Sequence, residues 1–132
     1  MRRAARCMEW TLHYLPRKAV LLARTDGVYE LEAAQLFVQA LGLGYRQHSP
    51  QVLLIDRRRS ELKLSTMNIY AHPTAYRQAG IAPPAIIAVV VAAITADEKF
   101  LETAFWNQGY QMKTFCDWRL AVAWVRGSRR LV

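Results

Sequence analysis

The sequence has only two cysteines, Cys7 and Cys116, and they lie far apart in the chain. Neither belongs to a CxxC motif or to a Cys/His cluster with the spacing of metal ligands. A disulfide framework and a structural metal site are therefore not expected. We predict reduced thiols, no metal and no cofactor.

Long apolar runs are also lacking. The most apolar stretch, IAPPAIIAVVVAAITA at 81–96, is shorter than the roughly 20 residues that cross a bilayer and contains Pro83 and Pro84. The first ten residues carry positive charge without the apolar segment of a secretory signal. We expect a cytoplasmic protein without a membrane span.

Catalytic motifs are absent from the sequence. It contains no GxGxxG, P-loop or HExxH pattern, and none of its three histidines neighbours a serine or cysteine in a nucleophile motif. Asp97, Glu98 and Glu102 fall in the first turns of a predicted helix, where acids oppose the helix dipole favourably. We therefore expect a protein that is not an enzyme.

Acidic residues are scarce beside basic ones, with 10 against 18 and a net charge of +8. Six of the basic residues lie near the two ends, at Arg2, Arg3, Arg6, Arg126, Arg129 and Arg130. Without them, twelve basic residues face ten acidic ones, and the body carries only +2. A body so close to neutral lacks the broad basic face of a nucleic-acid-binding domain, so nucleic acid is not an expected partner. We predict one domain at 8–126 between flexible basic tails at 1–7 and 127–132.

Hydrophobic spacing predicts the order β-β-α-β-α-β-α-β-α. Strands are expected at 8–14, 19–23, 52–55, 85–93 and 111–115, from alternating or unbroken apolar residues. The first two strands are close enough for an antiparallel hairpin, and strict alternation after them predicts parallel strands with helices as crossovers. The predicted class is α/β, with a mostly parallel sheet of about five strands and four helices.

Signals for helix starts and ends divide the remaining segments. The first helix is expected from about Tyr29, with Gly42 and Gly44 ending it. The second is expected to begin near Ser65, whose hydroxyl can accept a hydrogen bond from a first-turn amide. Thr95 and Glu98 form a capping box for the third helix.

Several segments in this order resemble the bacterial STAS/SEC14-like family, which includes the anti-sigma-factor antagonists. They are DGVYELEAAQLF, VLLIDRRR leading into LSTMN, IIAVVV, and a closing AFWNQGYQMKTFCDWRLAVAWV with Gly109, Phe115, Ala121 and Trp124. The resemblance covers roughly residues 8–126. It implies a STAS-like domain acting by protein–protein contact in bacterial signalling, with a homodimer as one option.

The same resemblance implies candidate phosphorylation sites. In the phosphorylated branch of the family, a kinase modifies a serine in an Asp-Ser-Ser-Gly motif at the start of the second helix. The serine pair falls on Ser65 and Thr66, whereas Leu64 and Met67 replace the aspartate and the glycine. The alternative is that Ser65 only caps the helix.

The segment 56–68 is predicted to be a loop and helix start that is presented to a partner. Asp56, Arg57, Arg59 and Asn68 are its candidate partner-binding or anion-binding residues. Successive residues of an extended chain alternate sides, so Arg57 and Arg59 would face one ligand together. The alternatives are an Asx-type turn at Asp56 and a solvated loop at the arginines.

Two further features come from apolar residues. A SEC14-type resemblance allows an apolar pocket between helices and sheet, with Met67, Ile69 and Tyr70 as candidate lining residues. Such a pocket would make the chain a small-molecule or lipid carrier, which is the alternative function. Trp106 lies off the apolar stripe of its helix and is a candidate contact anchor for a partner.

Overall fold

The computed structural model of the chain describes residues 8–130, with side chains as far as Ser128. Its elements are β1 Glu9–Leu15, β2 Val20–Glu30, α1 Leu31–His48, β3 Val52–Lys63, α2 Thr66–Gln78, β4 Ile86–Val90, α3 Ala96–Asn107, β5 Gln111–Phe115 and α4 Trp118–Arg130. The predicted α/β class with five strands and four helices is confirmed. The predicted tail at 1–7 lies outside the described residues, and α4 continues to Arg130, past the predicted domain end at 126.

The five strands form one sheet in the order β1-β2-β3-β4-β5. The β1–β2 hairpin is antiparallel, and every other neighbouring pair is parallel. Helices α1, α2 and α3 cover one face of the sheet and α4 covers the other. In β3, Leu53 and Ile55 belong to the core under the three helices, while Val52 and Leu54 belong to the core under α4. A strand covered on both faces explains the unbroken apolar run.

β2 and β3 continue well beyond their predicted ends. They stay paired in parallel from Asp26 opposite Arg59 to Glu30 opposite Lys63. The hydroxyls of Thr25 and Ser60 share a hydrogen bond of 2.6 Å across the pair. Most of the β3 extension is exposed and its residues are mainly polar. It therefore contains no apolar run from which a strand could be predicted. The predicted loop that begins at residue 56 is therefore wrong, because the chain remains a strand through Lys63.

The glycines predicted to end the first helix lie inside it. α1 continues to His48, and Ser49 closes it in the left-handed conformation with φ of 47°. Gly42 faces the end of α2, where a Cβ atom would overlap the carbonyl oxygen and the Cβ of Ala79. That carbonyl also accepts a hydrogen bond from Arg46, one turn further along α1. Gly42 thus permits a close approach of two helices.

This close approach makes Gly42 sensitive to a single added methyl group. We expect Gly42→Ala to lower the free energy of unfolding by about 1–3 kcal/mol, because the two helices must move apart. Gly127→Ala is the matched control, since its Cβ would meet nothing within 4 Å. Urea denaturation of both variants measures the difference, and equal stabilities would contradict the close approach.

Candidate functional site

A buried ion pair joins the sheet to α3 where β3 passes the end of β4. Arg57 of β3 donates two parallel hydrogen bonds to the carboxylate of Glu98 in the first turn of α3, at 3.0 and 2.6 Å. The two side chains are only 3% and 6% exposed. Burial lowers the pKa of Arg57, but the bonds and charge of Glu98 outweigh it and hold the pKa above its usual value. The guanidinium therefore stays charged and paired.

The Thr95–Glu98 capping box is only half formed. The Glu98 amide donates to the Thr95 hydroxyl at 3.3 Å, as the box requires. The Glu98 carboxylate binds Arg57 instead of returning to the helix start. Sequence reasoning missed this pair because 41 residues separate its members and because an acid at that position already suits a helix start.

Aromatic side chains extend the ion pair into the core. The Arg57 guanidinium lies 5.1 Å from the ring centroid of Tyr29, whose hydroxyl shares a hydrogen bond of 2.9 Å with His72 Nε2. The His72 ring meets Tyr76 and Phe105 edge to face, at 5.3 and 6.0 Å between centroids. Burial, and secondarily the positive charge of Arg57, lower the pKa of His72 to about 3. A neutral His72 therefore links α2 to β2 and α3.

Asp56 lies on the opposite face of the sheet, towards α4. Its carboxylate accepts hydrogen bonds from the Arg58 amide at 3.1 Å, from the Arg58 guanidinium at 2.9 and 2.8 Å, and from Arg24 at 3.3 Å. Burial raises the pKa of Asp56, but these hydrogen bonds bring it below its usual value. Both guanidiniums lie against the Trp118 ring. The carboxylate is thus engaged within the chain, which fits the Asx-type alternative.

The predicted pairing of Arg57 with Arg59 is wrong. The β2–β3 register shifts between Arg24 and Asp26, so the alternation of sides is interrupted at this point. Arg57 is buried against Glu98, whereas Arg59 is 80% exposed and pairs with Asp26 at 2.9 Å. These two arginines form no common anion site.

The start of α2 presents hydroxyls and large apolar side chains together. The exposed Ser65 caps the helix and accepts a hydrogen bond of 3.1 Å from the amide of Asn68, which is half-buried. Thr66 is exposed, as are Met67 at 77% and Tyr70 at 65%.

The predicted apolar pocket is not assembled at this helix. Ile69 is fully buried in the core, whereas Met67 and Tyr70 face outward. At 3.6 residues per turn, Ile69 points about 200° away from Met67 and about 100° away from Tyr70 around the axis of α2. The carrier alternative thus loses the three residues on which it depended.

Trp106 is 52% exposed on α3, and its indole N–H donates to the carbonyl of Met112. This hydrogen bond holds the half-exposed indole in one orientation. The role of contact anchor stays a prediction.

Among residues 8–130, no helix is both long and apolar enough to cross a membrane. Within the same residues, no three His, Cys, Asp or Glu side chains are placed to hold a metal ion.

Comparison with known proteins identifies the fold. No family model and no curated protein matches the chain. Among solved structures, it is similar to an anti-sigma factor antagonist from Mycobacterium paratuberculosis, with TM-score 0.63 and 17% identity over 90% of this chain and 94% of that one. It is also similar to the anti-sigma factor antagonist SpoIIAA in its unphosphorylated form, with TM-score 0.55 and 11% identity over 90% and 97%. Sequence identities of 17% and 11% are enough to show a shared fold and no more. The predicted STAS-like domain is therefore confirmed as a fold.

The buried His72 makes stability depend on pH. Its folded pKa of about 3 is below the unfolded value of 6.5, so the unfolded chain takes up the proton first as the pH falls. The stabilisation is complete above pH 6.5 and is lost from there towards pH 3. Between pH 7 and 5 we expect the free energy of unfolding to fall by about 2 kcal/mol through this residue.

Urea denaturation at several pH values measures this dependence. His72→Gln is expected to flatten it, whatever the variant costs in absolute stability. His13→Gln is the matched control, because His13 is exposed on β1. The same pH dependence in His72→Gln and in the original chain would show that His72 is not the group responsible.

Proposed function

We propose that this chain is a non-enzymatic regulatory module of bacterial signalling that works in the cytoplasm and binds a protein partner through the start of α2. The observation that carries the proposal is the exposure of Met67 and Tyr70 beside the hydroxyls of Ser65 and Thr66. Large apolar side chains grouped at the surface are typical of contact sites, and tyrosine is enriched among the residues that dominate binding.

The fold suggests which class of protein the partner belongs to. The two similar structures described above are anti-sigma factor antagonists. We infer that the partner of this chain is a regulatory protein of the anti-sigma-factor type. Trp106 on α3 is proposed as a second contact for the same or another partner.

A phosphate on Ser65 or Thr66 is proposed as the switch. Both residues are exposed, and the first turn of α2 contains no acidic side chain to repel a phosphate. The free amides and the dipole of a helix start stabilise a negative charge there. The arginines at 57–59 pair with acids of this chain, so we assign the stabilisation to the helix amides.

Met67 is the residue at which this site differs from the family motif. The family motif has a glycine at this position, which lets a partner backbone approach closely. The exposed Met67 instead offers a flexible apolar side chain, which suits contact with a side chain of the partner. We propose that the phosphate changes binding mainly by placing charge beside this apolar contact.

The test compares two double variants of the tagged chain, expressed in its own host. We expect Met67→Asp with Tyr70→Asp to reduce recovery of the partner at least about tenfold, because charges replace the contact. Leu43→Asp with Leu120→Asp is the matched control, since both leucines are similarly exposed on α1 and α4. Quantitative mass spectrometry of the recovered proteins gives the comparison, and identical sets from both variants would contradict the proposed surface.

The intact mass of the recovered chain tests the switch in the same preparation. We expect a fraction with one added phosphate that is lost in Ser65→Ala or in Thr66→Ala. A phosphate that maps elsewhere would refute the switch and leave the binding surface to be judged by the recovery.

A further inference from the structure

β3 is longer than its neighbour β4, and this leaves one side of β3 open. β4 pairs only with Leu53 to Asp56 of β3, whereas β2 accompanies β3 to Lys63. Within the described part of the chain, no strand pairs with residues 57–63 on the side of β4. In a parallel sheet, the N–H and C=O groups of alternate residues point to each side of a strand. Alternate residues of the β3 extension therefore offer unpaired backbone groups on this side.

The open side of β3 borders a groove of about 570 Å³. One wall is formed by residues 60–62 of β3, and the other by residues 91–93 and the first turn of α3 at 95–98. Leu62 and Val91 give the groove an apolar part, while Ala92, Ala93 and Ala96 are small and leave it open. The groove thus lies where β4 would run if it continued.

The charged side chains that line the groove are acidic. Glu61 and Asp97 line it and are exposed. Glu98 also lines it, but Arg57 neutralises that carboxylate. Among residues 8–128, no basic side chain lines the groove, although Lys63 lies 4.0 Å from the Glu61 carboxylate at its edge. The groove therefore favours a basic occupant.

We propose that this groove binds an extended, basic segment of a partner protein, which adds to the sheet as a strand beside the β3 extension. The backbone of this segment forms hydrogen bonds with the open side of residues 59–63. That part of β3 has room for about five residues of the segment, because a strand rises about 3.3 Å per residue. An apolar side chain of the segment contacts Leu62 and Val91, and lysines or arginines pair with Glu61 and Asp97. This inference does not depend on the start of α2 and stands apart from the proposed function.

The probe is a labelled six-residue peptide of alternating lysine and valine, acetylated and amidated at its ends. Fluorescence anisotropy with the full chain measures affinity, and amide chemical shifts locate the site. We expect saturable binding with shifts in residues 58–63 and 91–98. Two peptides should bind at least about tenfold more weakly: one with glutamate in place of lysine, and one with alternate backbone nitrogens methylated.

Variants of the chain separate this site from others. Glu61→Lys with Asp97→Lys should weaken binding of the lysine peptide about tenfold. Glu9→Lys with Glu32→Lys is the matched control, with one acid on an exposed strand and one in the first turn of a helix. Met67→Asp with Tyr70→Asp should leave the affinity unchanged.

The proposal is overturned if the lysine peptide does not bind, or if the amide shifts that it causes lie outside the groove. It is also overturned if Glu61→Lys with Asp97→Lys binds the peptide as tightly as the control variant, Glu9→Lys with Glu32→Lys. Light scattering that finds a dimer, dissociated by Glu61→Lys with Asp97→Lys, would also overturn it, because the occupant would then be a second copy of the chain. Failure of this test does not affect the proposed contact surface at the start of α2, because different residues are substituted in the two tests.

Discussion

The carboxyl end of the sheet depends on the buried ion pair of Arg57 and Glu98. A charge left alone in such a site costs about 3–5 kcal/mol, so each partner holds the other in place. Arg57 fixes the β3 extension, and Glu98 fixes the first turn of α3. Through Tyr29 and the neutral His72, the same contacts reach β2 and α2. The ion pair thus borders the groove beside β3 and, through Tyr29 and His72, contacts α2.

This arrangement changes what the arginine run contributes to function. Arg57 belongs to the core, Arg58 holds Asp56 on the opposite face, and Arg59 pairs with Asp26. The run therefore stabilises both sides of a strand that extends beyond its neighbour. The two proposed contact surfaces differ, because the one at α2 is apolar and hydroxyl-bearing and the groove is lined by acids.

Local patterns in the sequence predicted the local features of the fold. Alternating or unbroken apolar residues located every strand, and the caps at Ser65 and Thr95 marked the starts of α2 and α3. Two of the features missed depend on partners distant in sequence. The polar extension of β3 exists because β2 accompanies it, and Gly42 lies inside α1 because Ala79 of another helix approaches it. A pocket at Met67, Ile69 and Tyr70 failed because neighbouring residues of a helix face different ways.

A double-mutant cycle on the ion pair tests the central claim most directly. Arg57→Met and Glu98→Met, alone and together, are compared with the original chain by urea denaturation. We predict that each single variant loses about 3–5 kcal/mol, because it buries an unpaired charge, and that the double variant loses no more than either single one. Losses below about 1 kcal/mol that simply add would contradict the claim, because the carboxyl end of the sheet would then be held by packing alone.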